Sequence, residues 1–330
     1  MNDNLVSVKN VSVEFDYQEN FLSKKQKIQA VKNVSLNIKK KSFLGLVGES
    51  GSGKTTLGKA ILGANKISAG QVIFHDDNVD YDLGNINKKE LKEYRKKAQL
   101  IFQDPYAALS PRMTVRDIIA EPLEVMKITK SREETDERVR DIASKCRLNL
   151  EHLRRYPHAF SGGQRQRISI ARSLVSYPKF IVADESVAAL DVSIQADILN
   201  LLKSLQKELD LTYLFISHDL SVVAHTCDEV AVMYLGHIVE QAPSRELFTN
   251  PRHPYTKALL SSIPSIDPDD QKKAIELKGE IPSAMNPPSG CVFRTRCPNP
   301  THDCKEGHIE MGLIEVSPGH WVDQCCINCG

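Results

Sequence analysis

Apolar and polar residues alternate along two early stretches, LVSVKNVSVEF from Leu5 to Phe15 and VKNVSLNI from Val31 to Ile38. A period of two predicts strands of an antiparallel sheet with one face in water. The pattern then changes. FLGLVG (Phe43 to Gly48), FIVAD (Phe180 to Asp184), TYLFIS (Thr212 to Ser217) and VAVMYLG (Val230 to Gly236) are unbroken apolar runs, as expected of strands covered on both faces. Helical segments such as TTLGKAIL (Thr55 to Leu62) and DILNLLKSLQKEL (Asp197 to Leu209) separate them, which predicts an α/β fold with a parallel core sheet. TVRDIIAEPLEVM and SREETDERVRDIASKCRL carry a helical period and many charges, predicting a helical subdomain inserted at about residues 104–175. Beyond about Gln241 the chain turns proline-rich, so the expected division is a core at 1–241 and an extension at 242–330.

The first chemical signal follows the first buried run. GESGSGKT, from Gly48 to Thr55, fits the phosphate-loop pattern G-x-x-x-x-G-K-S/T, in which glycines let backbone N–H groups close around phosphate oxygens. Gly48, Ser50, Gly51, Ser52 and Gly53 would form that cradle, with Lys54 reaching the β and γ phosphates. The Thr55 hydroxyl is placed to ligate Mg²⁺, and Thr56 follows at the N-terminus of a helix that faces the anion. FIVADE ends a buried run on two carboxylates, as a strand does when its C-terminal end reaches a ligand crevice. Asp184 is expected to hold Mg²⁺, directly or through water, and Glu185 to polarise an attacking water.

FSGGQRQRISIARSL, from Phe160 to Leu174, decides between phosphate-loop classes. Ser161 alone reads as an ordinary N-cap, but that leaves Gly162 and Gly163 at helix-opening positions unexplained. The segment resembles the signature motif of ABC-transporter ATPases. That resemblance implies an ABC-type cassette with an N-terminal antiparallel β subdomain, and a second ATPase chain. Ser161, Gly162, Gly163 and Gln164 then act in trans on the nucleotide held by the partner, with Asp191 in AALD along the shared interface. It also assigns His218 in LFISHDL to the γ phosphate and makes Gln103 in IFQDP the residue that senses Mg²⁺ and water. An aromatic at the end of the first strand would stack on adenine: Phe15, with Tyr17 as the alternative. Two positions depart from the family pattern, Ser186 where proline is usual and Ala188 where serine is usual.

The resemblance narrows outside these motifs. GKTTLGKAILG, IFQDPYAALSPRMTVRDIIAEPL and NPRHPYTKALLSSIP are similar to the second ATPase of oligopeptide and dipeptide permeases, a group shared with nickel and metallophore importers. What it implies is ATP hydrolysis driving peptide import, through a heterodimer of ATPases beneath two transmembrane permease subunits and an extracytoplasmic substrate-binding protein. A groove near Tyr106 to Leu109 would receive a permease helix. A nickel or metallophore importer differs only in cargo; a soluble ABC protein of translation or DNA repair would show a second phosphate loop or a long heptad run.

Charge and hydropathy narrow the partners. With 43 basic and 42 acidic side chains the net charge is +1, which offers no general attraction for nucleic acid. No apolar run approaches the roughly 18 residues of a membrane span, and MNDNLVSV lacks the basic and apolar regions of a signal peptide, so the expected location is the cytoplasmic face of the membrane, reached through partners. SKKQK, from Ser23 to Lys27, reads as a solvated loop, with a lipid-headgroup contact as the alternative.

Cysteines add a second candidate site. Of eight, six fall in the last forty residues: Cys291, Cys297, Cys304, Cys325, Cys326 and Cys329. In a reducing compartment such clustering favours a metal over disulfides. GCVFRTRCPNPTHDC resembles the cysteine region of peptide-permease ATPases, some of which carry a 4Fe–4S cluster, which implies ligation by Cys291, Cys297, Cys304 and Cys325, with Cys326 interchangeable with Cys325. Zinc suits four thiolates equally, and an empty, reduced tail remains open. Pro298, Pro300 and Pro318 are expected to limit regular structure and leave a metal to order the segment.

Overall fold

The computed structural model describes residues 3–18, 26–77, 79–263, 275–277 and 279–326. Cys329 and Ser23 to Lys25 lie outside the described residues. The chain divides into two compact units: Met1–Leu5 with Ile38–Ser42 and Phe74–Ile216, and Val6–Asn37 with Phe43–Ile73 and Ser217–Gly330.

In the second of these units, strands Asn4–Tyr17, Gln26–Lys39 and Ala69–His75 contribute most of their length to one sheet, with Asn4–Tyr17 in the middle. Gln26–Lys39 follows the expected alternation over Val34 to Ile38, after a break at Asn33, which sits at φ 49°. The first strand does not: Leu5 to Val8 are all buried, Ser7 included, and Asn10 at φ 49° breaks the regular pleat. Asn10 and Ser12 are instead tied to the neighbouring strand through Ser35 and Asn33. Gln26 and Lys27 open the second strand rather than a loop, and Lys27 pairs across to Glu14 at 3.0 Å.

The same unit holds strand Phe43–Val47, buried throughout, running parallel to Glu229–Tyr234 with Leu44 opposite Glu229 and Val47 opposite Val232. Glu229–Tyr234 returns antiparallel as His237–Pro243. A hairpin of the extension, Leu313–Ser317 and His320–Asp323, then adds to His237–Pro243, with Glu240 opposite Val322 and Gln241 opposite Trp321. Pro298 and Pro300 do lie in irregular backbone. Pro318, however, occupies the hairpin turn, where its missing N–H costs no ladder bond, so this part of the tail is ordered by strand addition.

The other unit contains three parallel strands, Ala98–Ile101, Phe180–Asp184 and Thr212–Ser217, with Ala98 opposite Phe180 and Phe180 opposite Thr212. Phe180 to Ala183 are at most 1% exposed, and burying each large apolar side chain stabilises the fold by about 1.5–3 kcal/mol. Helices Val115–Val125 and Arg132–Lys145 pack with Gly162–Leu174, as the helical periodicity predicts. Val192–Leu209 also packs on Gly162–Leu174. No helix among the described residues is long and apolar enough to cross a membrane.

Candidate functional site

Strand Phe43–Val47 delivers the chain to Gly48, where a Cβ would lie 2.1 Å from the Met233 carbonyl oxygen; only glycine fits this turn. The loop then runs through exposed Ser50 and Gly51 to helix Lys54–Ile61, whose N-cap, Gly53, provides no side-chain cap. A helix N-terminus left open in this way is an anion site. Lys54 is buried, its Nζ donating to the carbonyls of Gly48 at 2.7 Å and Glu49 at 2.9 Å and to Ser52 Oγ at 3.4 Å. Phosphate oxygens would replace these acceptors. Thr55 is exposed and Thr56 half-buried on the first turn. His218 is exposed beyond strand Thr212–Ser217, where Asp219 caps the next helix, Leu220–Thr226. Phe15 and Tyr17 are 43% and 39% exposed at the end of their strand.

The other unit brings three of the expected residues together. Asp184 closes strand Phe180–Asp184, buried at 7% exposure, and Glu185 follows at φ 44° with its N–H on the Ile216 carbonyl at 3.0 Å. That turn aims the Glu185 carboxylate at Gln103, whose Nε2 donates to Oε2 at 2.8 Å. Ser186 is buried at 2% exposure, and Ala188 returns a hydrogen bond to the Glu185 carbonyl, so the two departures sit in a closed turn.

Ser161 and Gln164 form a reciprocal cap on helix Gly162–Leu174: Ser161 Oγ accepts from the Gln164 N–H and Gln164 Oε1 accepts from the Ser161 N–H. Both the capping and the anion-binding readings therefore fall on the same turn. Gly163 has a packing reason that sequence did not reveal, since a Cβ there would meet Ile194 Cγ2 at 2.6 Å. Asp191 is the N-cap of Val192–Leu209 but makes no side-chain cap bond and is exposed.

In the extension, Cys291, Cys304 and Cys325 are buried while Cys297 and Cys326 are partly exposed. The Cys325 thiol donates to Cys291 Sγ at 3.2 Å and lies 3.4 Å from Cys326 Sγ. Hydrogen bonding from Cys325 and burial push the Cys291 thiol far up. Cys325 is also raised: its bond to Cys291 works against this, but Cys326 and burial outweigh it. His253 joins Cys325 and Cys326 in a group whose ligand atoms lie within 4.8 Å of one another. Its Nδ1 accepts the Tyr255 N–H, so the proton sits on Nε2, and burial holds the imidazole down at about 4.

His253 was not signalled as chemistry by the sequence; only the His-Pro start of helix Pro254–Ser261 was visible there. Two further residues were missed. Arg296 grips Glu49 of the phosphate loop, and Tyr255 Oη accepts the Glu49 N–H.

A model of the ABC transporter family matches residues 31–188, and one for the oligopeptide/dipeptide transporter C-terminal region matches residues 239–304. The oligopeptide transport ATP-binding protein OppF of Bacillus subtilis (strain 168) is 46% identical over 322 residues, covering 98% of this chain and 96% of that protein. The oligopeptide transport ATP-binding protein AppF of the same organism is 49% identical over 298 residues, 89% of this chain and 88% of that protein. Among solved structures, a dimeric post-hydrolysis state of an ATP-binding cassette bound to ADP and Pi matches with a TM-score of 0.62 at 31% identity, over 73% of this chain and 99% of that one. With the fold, the phosphate loop and these matches together, the chain belongs to the ABC-transporter ATPases, in the oligopeptide/dipeptide transporter group.

Proposed function

We propose that this ATPase drives the import of oligopeptides or dipeptides, working with a second ATPase subunit, two transmembrane permeases and an extracytoplasmic binding protein at the cytoplasmic face of the membrane. What carries the reading is the pairing, on one chain, of an ABC cassette with a C-terminal region of the oligopeptide/dipeptide type, and relatives that bear oligopeptide-transport names over nearly the full length. ATP enters a loop in which Lys54 exchanges the Gly48 and Glu49 carbonyls for β and γ oxygens. Phe15, or Tyr17, stacks on adenine. Mg²⁺, held by Thr55, Asp184 and Gln103, would neutralise charge on the phosphates. Glu185 takes the proton of the attacking water, with Gln103 orienting its carboxylate and His218 on the γ phosphate.

Ser161, Gly162, Gly163, Gln164 and Asp191 act on the partner's nucleotide. The segment Tyr106 to Leu109, where Tyr106 stays exposed, is the proposed seat of a permease helix; the groove of about 220 Å³ lined by Leu100, Phe102, Glu121, Pro122, Val125 and Arg172 does not include it. The test is uptake of labelled peptide into vesicles carrying the whole complex. ATP-dependent accumulation is expected; ATP hydrolysis without any peptide uptake overturns the reading.

The tail supports a metal centre of soft donors. Cys291, Cys325 and Cys326 are gathered within hydrogen-bond distance; bonding from Cys325 and burial raise the Cys291 thiol, and Cys326 with burial raises Cys325, so a bound cation would be needed to favour their thiolates. Cys297 and Cys304 lie on the same segment and complete the set that the sequence nominates for a 4Fe–4S cluster or Zn²⁺. His253, protonated on Nε2, fits as a hydrogen-bond donor to such sulfurs rather than as a ligand. Anaerobically purified protein should be brown with about four irons per chain, and Cys297→Ser should bleach it while the protein still binds nucleotide. One zinc per colourless chain moves the thiolates to zinc, and metal-free folded protein removes both.

A further inference from the structure

Glu49, the second residue of the phosphate loop, is held from outside that loop. Its carboxylate receives the Arg296 guanidinium at both oxygens, Nη1 to Oε2 at 2.8 Å and Nη2 to Oε1 at 3.3 Å. Its N–H donates to Tyr255 Oη at 2.8 Å, so this N–H is engaged by a residue outside the loop. The Arg296 side chain is only 8% exposed and lies 6.0 Å from the Tyr234 ring centroid. Tyr234, Tyr255 and Phe293 pack ring against ring at 4.7, 5.3 and 5.5 Å, a stiff wall behind the ion pair.

Arg296 sits in a tight turn that begins at Cys291 and ends at Cys297. The Arg294 N–H donates to the Cys291 carbonyl, and the N–H groups of Arg296 and Cys297 both donate to Phe293. The cysteine-rich segment therefore fixes the residue that reaches the phosphate loop.

A carboxylate beside a site for a polyphosphate is electrostatically unfavourable. At the few ångströms of a loop radius, like charges repel unless a cation intervenes. We propose that Arg296, with Tyr255, is a positioning residue for nucleotide: it neutralises Glu49 and fixes the loop in its binding conformation, so that the C-terminal extension sets ATP affinity. This rests on the Gly48–Thr55 loop being the ATP site.

The experiment is ATP binding and steady-state hydrolysis by the intact complex. Arg296→Ala should weaken ATP binding by on the order of 10-fold, raising KM with little change in kcat, and Arg296→Lys should recover part of the loss. Adding Glu49→Gln to Arg296→Ala should restore most of the affinity, because the carboxylate that needed neutralising is gone. A merely structural arginine would not be rescued in this way. Lys54→Ala separates the two layers of the argument. If it leaves binding intact, the loop assignment fails. If it abolishes binding while Arg296→Ala binds like the wild type, or the double variant stays as weak as Arg296→Ala, the positioning role is overturned.

Discussion

Glu185 shows how far one residue's backbone decides its chemistry. It leaves the buried strand at φ 44°, and this turn brings its carboxylate to 2.8 Å from Gln103, 82 positions earlier in the chain. A carboxylate held at one oxygen by an amide N–H is oriented for a water on its other side. Glu185→Gln should keep ATP binding and lower steady hydrolysis by about 10²–10⁴-fold in the assembled complex, because the amide cannot accept the proton. Near wild-type turnover would remove Glu185 from that role. Glu185, Lys54 and Gly48 were legible in sequence because each belongs to a short motif whose spacing states its own geometry. Arg296 was not, since the contact with Glu49 spans 247 positions and an arginine between two cysteines carries no local signature.

At the scale of elements, buried strands were the most legible. Phe43–Val47, Phe180–Asp184 and Thr212–Ser217 are continuous apolar runs, and their burial is complete. Helix Lys88–Lys97 carries only a local signal, the reciprocal cap of Asn87 and Glu90, because its lysine-rich sequence has no apolar stripe. The tail strands escaped because the segment reads as proline-limited. They are fastened by a buried pair, His320 Nε2 to Glu240 Oε1 at 2.7 Å, with Glu246 3.5 Å from His320 Nδ1.

Glu240 raises the His320 imidazole above its ordinary value. Burial pushes Glu240 up, but His320, Thr256 and the N–H groups of Arg252 and His253 outweigh it and hold the carboxyl down. The histidine contribution is therefore fully present below the ordinary value of about 6.5 and fades as pH rises through the raised one. Glu240 stays charged in that window. His320→Gln should cost about 1–3 kcal/mol near pH 6 and much less at pH 9. Thermal unfolding of both proteins at the two pH values reads this directly, and an equal difference at both would exclude a charged His320.

For the whole molecule, the proposed function divides the candidate residues between two nucleotides. Lys54, Glu185 and His218 are proposed to serve its own ATP, while Ser161 and Asp191, both exposed, are proposed to act on a partner's. The C-terminal region adds the group identity, and its cargo is proposed from relatives that carry peptide-transport names. The central claim is that hydrolysis at Glu185 powers peptide import. The most direct measurement compares labelled-peptide uptake into vesicles containing the full complex with the wild-type chain or Glu185→Gln, ATP being supplied on the ATPase side. Uptake above the ATP-free background with the wild type, and none with Glu185→Gln although it still binds ATP, is the expected result. Equal uptake by both, or no ATP-dependent uptake by the wild type while it hydrolyses ATP, contradicts the account.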